Sequence, residues 1–164
     1  MIEEERQEIM QEQLFLFPEL SIKPEIINGN AIDVSTIDVF FEGDTQLHKN
    51  ANITIEKLKS MPSDTVIAFK SGDDGLPYLK NVKTDVTYKA RTTRSEYTAL
   101  NLPFSKNYTI SCHRLFAILF LKNPNTKFYT EVNHLDENKR NYKLDNLQWM
   151  TPSDHRKLTQ GQTK

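Results

Sequence analysis

The chain has 164 residues, with 21 Lys and Arg against 22 Asp and Glu for a net charge of −1, and hydrophobic residues make up 37%. That length fits one domain, or one with a small extension, and leaves enough apolar side chains for a core. A single cysteine, Cys112, excludes an internal disulfide and any four-cysteine zinc site, and the longest apolar run, Leu115–Leu121, falls far short of the roughly 20 residues that cross a bilayer.

Net neutrality conceals a division. Up to Leu79 six basic residues face fifteen acidic ones, a net −9, while from Lys80 onward fifteen basic residues face seven acidic ones, a net +8. An asymmetry of that size points to a polyanion as partner of the basic part, with the acidic part meeting a protein partner or folding back on the chain itself. The opening segment Met1–Gln13 is acidic, the wrong sign for a secretory leader, so the cytoplasm is the expected location.

Residues 2–15 predict a helix, because Ile2, Ile9, Met10 and Leu14 fall near one face and Glu3, Glu4 and Glu5 suit the positive end of its dipole; Pro18 and Pro24 stop it. Ala31–Phe41, rich in Val, Ile and Phe, predicts one or two strands ended by the turn signal Glu42-Gly43-Asp44. A short helix is expected over Ile53–Met61, then a strand over Thr65–Lys70 and a hairpin turn over Ser71–Gly75. Residues 1–78 thus read as an acidic α+β extension of no assignable role.

Beyond Tyr78 the pattern changes. Asp85–Thr92, Ser95–Leu102 and Asn107–Cys112 alternate polar with β-branched or aromatic residues, as half-exposed antiparallel strands do, the last two joined by a turn at Pro103–Lys106. His113–Lys122 predicts a helix buried on most sides, broken at Asn123-Pro124-Asn125. Lys127–His134 predicts a strand, Asp136–Asn146 a polar loop and Leu147–Thr151 a second strand. Thr151 or Ser153 can cap a last helix through Lys157, and residues 161–164 are expected to be a disordered tail.

Three polar residues stand out in this C-terminal strand, loop, strand and helix. His134 ends the first strand, Asn146 lies 12 residues on and opens the second, and His155, a further 9 on, falls in the first turn of the helix. A hairpin with a helix folded across it brings all three together. The surrounding segments are His113-Arg114-Leu115-Phe116, Val132–Asn141 and Asp145–Thr151. In order and spacing they resemble the HNH nuclease family, in particular the phage-type and homing-endonuclease branch, whose members carry HRLV, VNH-D-x-NK-x-N and NLEW-x-T. The resemblance covers about half of the chain and implies a nuclease domain over residues 79–160.

The fold so implied is α+β: a short antiparallel sheet plus helix leading into a C-terminal ββα-metal unit, behind the acidic N-terminal extension. The implied activity is hydrolysis of a DNA phosphodiester, by nicking or double-strand cleavage, with one divalent cation, Mg²⁺ or Mn²⁺. The implied setting is a phage protein in its host's cytoplasm, or a bacterial one. His134 is then the general base, since imidazole titrates near neutrality. Asn133 and His155 are the metal ligands, and Asn146 joins the catalytic set by bridging the loop and fixing His134. Arg114, Lys139, Arg140, Lys143, Arg156 and Lys157 lie in or beside the matched segments and would neutralise DNA phosphates.

Some residues depart from the family pattern. Glu137 stands where a Gly is common, so a left-handed backbone there costs about 1–2 kcal/mol. Asn133 and His155 are both uncharged, which predicts weak metal binding without DNA. The alternative function is therefore a catalytically degenerate HNH-fold protein that binds DNA without cutting it. Among the remaining residues, His113 reads as a structural histidine that caps its helix or bonds the sheet, His48 as solvated, Trp149 as core, Asp136 and Asp145 as loop hydrogen-bonders, and Cys112 as a small buried residue.

Overall fold

A computed structural model describes residues 2–17, 31–70, 75–102 and 108–162. Helix α1 spans Glu3–Leu16, with Glu3, Glu4 and Glu5 in its first turn. Ile9, Met10 and Leu14 of its expected apolar face are half-buried and Ile2 is exposed, while the most deeply buried residue of the helix is the polar Gln13. The stops expected at Pro18 and Pro24, and the turns expected at Ser71–Gly75 and Pro103–Lys106, lie wholly or largely outside the described residues.

Strand β1 (Ala31–Asp33) pairs with β2 (Val66–Lys70), β2 with β3 (Pro77–Asn81) and β3 with β4 (Val86–Thr87), all antiparallel. The strand expected over 31–41 is only three residues long because Asp33 turns the chain. Its carboxylate accepts from the Ser35 amide at 3.0 Å and the Ser35 hydroxyl at 2.7 Å, capping a 3-10 turn over Val34–Thr36. An Asx-type bond of this kind competes with a ladder. Beyond it, Ile37 and Phe41 enter the core. Helix α2 (Gln46–Lys59) begins well before the expected Ile53, because Thr45 accepts from the His48 amide and supplies an N-cap.

The expected strand over 85–92 divides between two sheets. Arg91–Thr92 forms β5, which pairs with β6 (Thr98–Asn101), and β6 pairs with β7 (Thr109–Ser111). Helix α3 (Cys112–Phe120) follows directly and buries every residue except Arg114. Strand β8 (Glu131–His134) pairs with β9 (Leu147–Met150), and α4 (Pro152–Gln162) packs on β8.

The domain boundary expected after residue 78 falls inside β3, and a single core draws on both sides of it. The physical reason is α3. A helix that is apolar around most of its circumference needs cover on several sides, and both parts of the chain supply residues to the core it enters. Phe41 meets Trp149 with ring centroids 5.6 Å apart, and Leu58 and Leu79 are fully buried in the cluster that holds Leu115 and Phe116. His48 is likewise buried rather than solvated: its Nε2 bonds the Lys127 carbonyl oxygen at 2.7 Å, tying α2 to the segment before β8. Among the described residues no helix is long and apolar enough to cross a membrane.

Candidate active site

The β8–β9 connection is held by side-chain amides. Asn146 is fully buried; its Oδ1 accepts from the Asp136 amide at 3.0 Å, and its Nδ2 donates to Asp136 Oδ1 at 2.9 Å and to the Asn141 carbonyl at 2.8 Å. The Leu135 amide donates to the Asn146 carbonyl at 2.8 Å. Asn146 thereby holds the two residues that follow His134. Asp136 is 1% exposed and also accepts from the Asn138 amide and the Asn141 side chain. Glu137 has φ 61°, the left-handed conformation for which a glycine is the unstrained choice.

His134 is buried at the end of β8, and among the described residues its Nε2 has no hydrogen-bond partner. Its ring lies 4.6 Å from that of His113, tilted by 56°, and Tyr97 stacks on His113 at 4.9 Å. Burial pushes the His134 pKa down to about 4, with His155 and Lys139 adding to the effect and Asp136 opposing it. Burial, then His134, Arg114 and His155, push that of His113 down to about 2. Both rings are therefore neutral at neutral pH and keep a lone pair. His113 makes no cap: its Nδ1 is buried without a partner, and its contacts are ring contacts with Tyr97 and His134.

Helix α4 starts on two signals. Thr151 accepts from the Asp154 amide at 3.1 Å, and Pro152 takes the first helical position, where no backbone donor is needed. That start places His155 opposite β8, where its Nδ1 bonds Glu131 Oε2 at 3.0 Å. Glu131 and His155 line a cleft of about 430 Å³ together with His113, Arg114 and Tyr97. The spacing of His134, Asn146 and His155 does not single out Glu131, whose signal in the sequence is a carboxylate two residues before Asn133, on the same face of a strand.

The pairing of β8 with β9 continues through His134, which faces Leu147, so Asn133 and His134 leave opposite faces of the strand. Asn133 is buried and donates its Nδ2 to Gln13 Oε1 at 3.0 Å. Helix α1 also reaches the loop through Arg6, whose guanidinium lies 3.5 Å from Asp136 Oδ2 and 3.6 Å from Asp145 Oδ1. These ion pairs join a base of the acidic region to acids of the basic region, the reverse of the sense suggested by net charge.

The basic residues are dispersed. Arg114 lines the cleft, and its Nε is buried without a partner. Lys139 and Arg140 line a second hollow of about 570 Å³ with Glu96 and Glu137, and Lys139 Nζ lies 5.1 Å from the Tyr97 ring centroid. Arg156 and Lys157 are exposed on α4, and Lys143 is exposed on the loop beside Gly75.

Among the described residues, no three His, Cys, Asp or Glu side chains converge to hold a metal ion by themselves. The cleft holds Glu131 and His155 but neither Asn133 nor His134, so only the donor types, not a closed ligand set, suit an ion shared with a substrate. With Nδ1 committed to Glu131, His155 keeps one ring nitrogen, and Asn133, whose Nδ2 is bonded to Gln13, keeps its amide oxygen. Mixed nitrogen and oxygen donors, completed by phosphate and water, suit Mg²⁺ or Mn²⁺.

No family model matches the chain, and no solved structure matches it. Two curated relatives do. The chain is 47% identical over 49 residues to an uncharacterized HNH endonuclease of Acanthamoeba polyphaga mimivirus, a match covering 30% of the chain and 14% of that protein. It is 49% identical over 51 residues to the H-N-H endonuclease F-TflII of Escherichia phage T5, covering 31% of the chain and 26% of that protein. The matched segment is thus a small part of either relative. Through it, the chain is related to the HNH endonuclease family.

Proposed function

We propose that the chain is a metal-dependent DNA endonuclease of the ββα-metal type, hydrolysing phosphodiester bonds with one divalent cation, Mg²⁺ or Mn²⁺. The observation that carries the reading is His134: a buried, neutral imidazole at the end of β8, packed on His113, which lines the cleft with His155, Glu131 and Arg114. Its two relatives by sequence are both named endonucleases.

A phosphodiester repels hydroxide, so the site must make its nucleophile locally and offset charge on the phosphoryl and leaving oxygens. His134 accepts a proton from water as the oxygen bonds to phosphorus, and the bond from phosphorus to the leaving oxygen breaks. Asn146 holds the loop that follows His134. Asn133 and His155 are the residues that would hold the cation, and the chemistry it would supply is neutralisation of charge on the phosphate. Arg114 provides a fixed positive charge in the cleft, and Lys139, Arg140, Lys143, Arg156 and Lys157 contact neighbouring phosphates without reading sequence.

The test is incubation of plasmid with Mg²⁺ or Mn²⁺ and either the wild-type or the His134→Ala protein. Cleavage by the first alone supports the proposal; no cleavage by wild type with any divalent ion sinks it. The second reading, a degenerate DNA-binding protein, is favoured by the lack of a three-ligand cluster among the described residues. It predicts salt-dependent DNA binding by both proteins with cleavage by neither.

A further inference from the structure

We infer that Glu131 is a positioning residue for the metal site: by accepting the Nδ1 proton of His155 it fixes that ring's rotamer and tautomer and leaves Nε2 as the ligating atom. The inference rests on the endonuclease reading above, in which His155 is a metal ligand.

A carboxylate beside an imidazole nitrogen takes the ring's N–H, so the 3.0 Å contact between His155 Nδ1 and Glu131 Oε2 points to a proton on Nδ1. An imidazole that ligates a cation carries its one N–H on the other ring nitrogen. The lone pair available to a cation is therefore on Nε2. Carboxylates that orient metal-bound histidines in this way raise ligand basicity and fix the ring.

The backbone supports the arrangement on both sides. Glu131 sits in paired register opposite Met150, so its Cα is fixed by the β8–β9 ladder, and His155 is fixed by the capped first turn of α4. The two side chains are 27% and 28% exposed, and both line the cleft. Alternation along β8 puts Glu131 on the same face as Asn133, the other expected ligand.

A purely structural bond pinning α4 to β8 would use the same atoms, so the test separates the two roles. The full chain, labelled with ¹⁵N in histidine, is examined by long-range nitrogen–proton correlation without metal, and then titrated with Mn²⁺ while paramagnetic broadening of the His155 signals is followed. Wild type should show the Nδ1–H tautomer. Glu131→Ala should lose that preference and shift the Mn²⁺ midpoint upward by about 10- to 100-fold. Glu131→Gln, whose amide oxygen still accepts from Nδ1, should keep the tautomer and recover most of the affinity, and it serves as the readout if the Ala variant fails to fold. Unchanged tautomer and midpoint in Glu131→Ala, or a Gln variant as impaired as Ala, would overturn the inference while leaving the endonuclease reading intact. Wild-type His155 signals untouched by Mn²⁺ even with saturating DNA present would also overturn the inference, by removing His155 from the metal site; the endonuclease reading is tested separately, by cleavage.

Discussion

Gln13 and Asn133, 120 positions apart in the chain, share a buried hydrogen bond of 3.0 Å. The bond makes the N-terminal helix part of the environment of an expected metal ligand. The same helix reaches the neighbouring loop through Arg6, Asp136 and Asp145. Gln13→Ala would leave the Asn133 amide without its partner in a buried setting and should destabilise the protein by roughly 1–3 kcal/mol. Urea unfolding measures this, and an unchanged midpoint would show that α1 does not dock as described.

Glu137 holds φ 61° in the loop after Asp136. Relief of left-handed strain is worth about 1–2 kcal/mol, and the greater freedom of glycine in the unfolded chain returns roughly 0.4–1 of it. Glu137→Gly should therefore be more stable than Glu137→Ala, which loses the same side chain, by about 1 kcal/mol, seen as a thermal midpoint higher by about 2–4 °C. A lower midpoint would contradict the conformation.

Asn146 is fully buried with three side-chain hydrogen bonds around Asp136 and Asn141. Asn146→Ala removes all three and strands buried groups of Asp136, at a cost of roughly 2–4 kcal/mol. Because the residues after His134 hang from those bonds, cleavage should fall even at temperatures where the variant stays folded. Activity equal to wild type in a folded Asn146→Ala protein would remove Asn146 from the catalytic set.

Stability should fall on the acid side of neutrality. The unfolded chain binds protons at His113 and His134 near pH 6.5, whereas burial makes the native rings refuse them until about pH 2 and about pH 4. Below pH 6.5 the unfolded state thus holds more protons, and stability declines with falling pH by about 1.4 kcal/mol per unit for each histidine. The His134 share of the decline ends near pH 4, and that of His113 continues toward pH 2. Urea midpoints that stay level between pH 7 and pH 5 would show that the rings are not buried as described.

The C-terminal strand, loop, strand and helix are legible from sequence because local chemistry and tertiary structure agree there. Asp, Asn and Lys fill the loop, apolar residues mark β9, and Thr151-Pro152 opens α4. Strand β8 is shorter than expected because Asn125 turns the chain first: its side chain accepts from the Lys127 amide at 3.0 Å and its carbonyl from the Phe128 and Tyr129 amides. Legibility fails where a partner distant in sequence decides the outcome. His48 has no local reason to be buried; its partner is the Lys127 carbonyl, 79 residues away. The engagement of Asn133 by Gln13 likewise leaves no periodic trace. Glu131 was overlooked for a different reason: one carboxylate on a strand becomes informative only when α4 sets His155 against it.

In the endonuclease reading, His134 takes the proton from the attacking water. The most direct test of that step is the single-turnover rate of supercoiled plasmid cleavage, with saturating protein and Mn²⁺ or Mg²⁺, for wild type and His134→Ala. General-base catalysis predicts a loss of about 10²- to 10⁴-fold in the variant with DNA affinity retained. A variant that cuts at the wild-type rate would contradict the account.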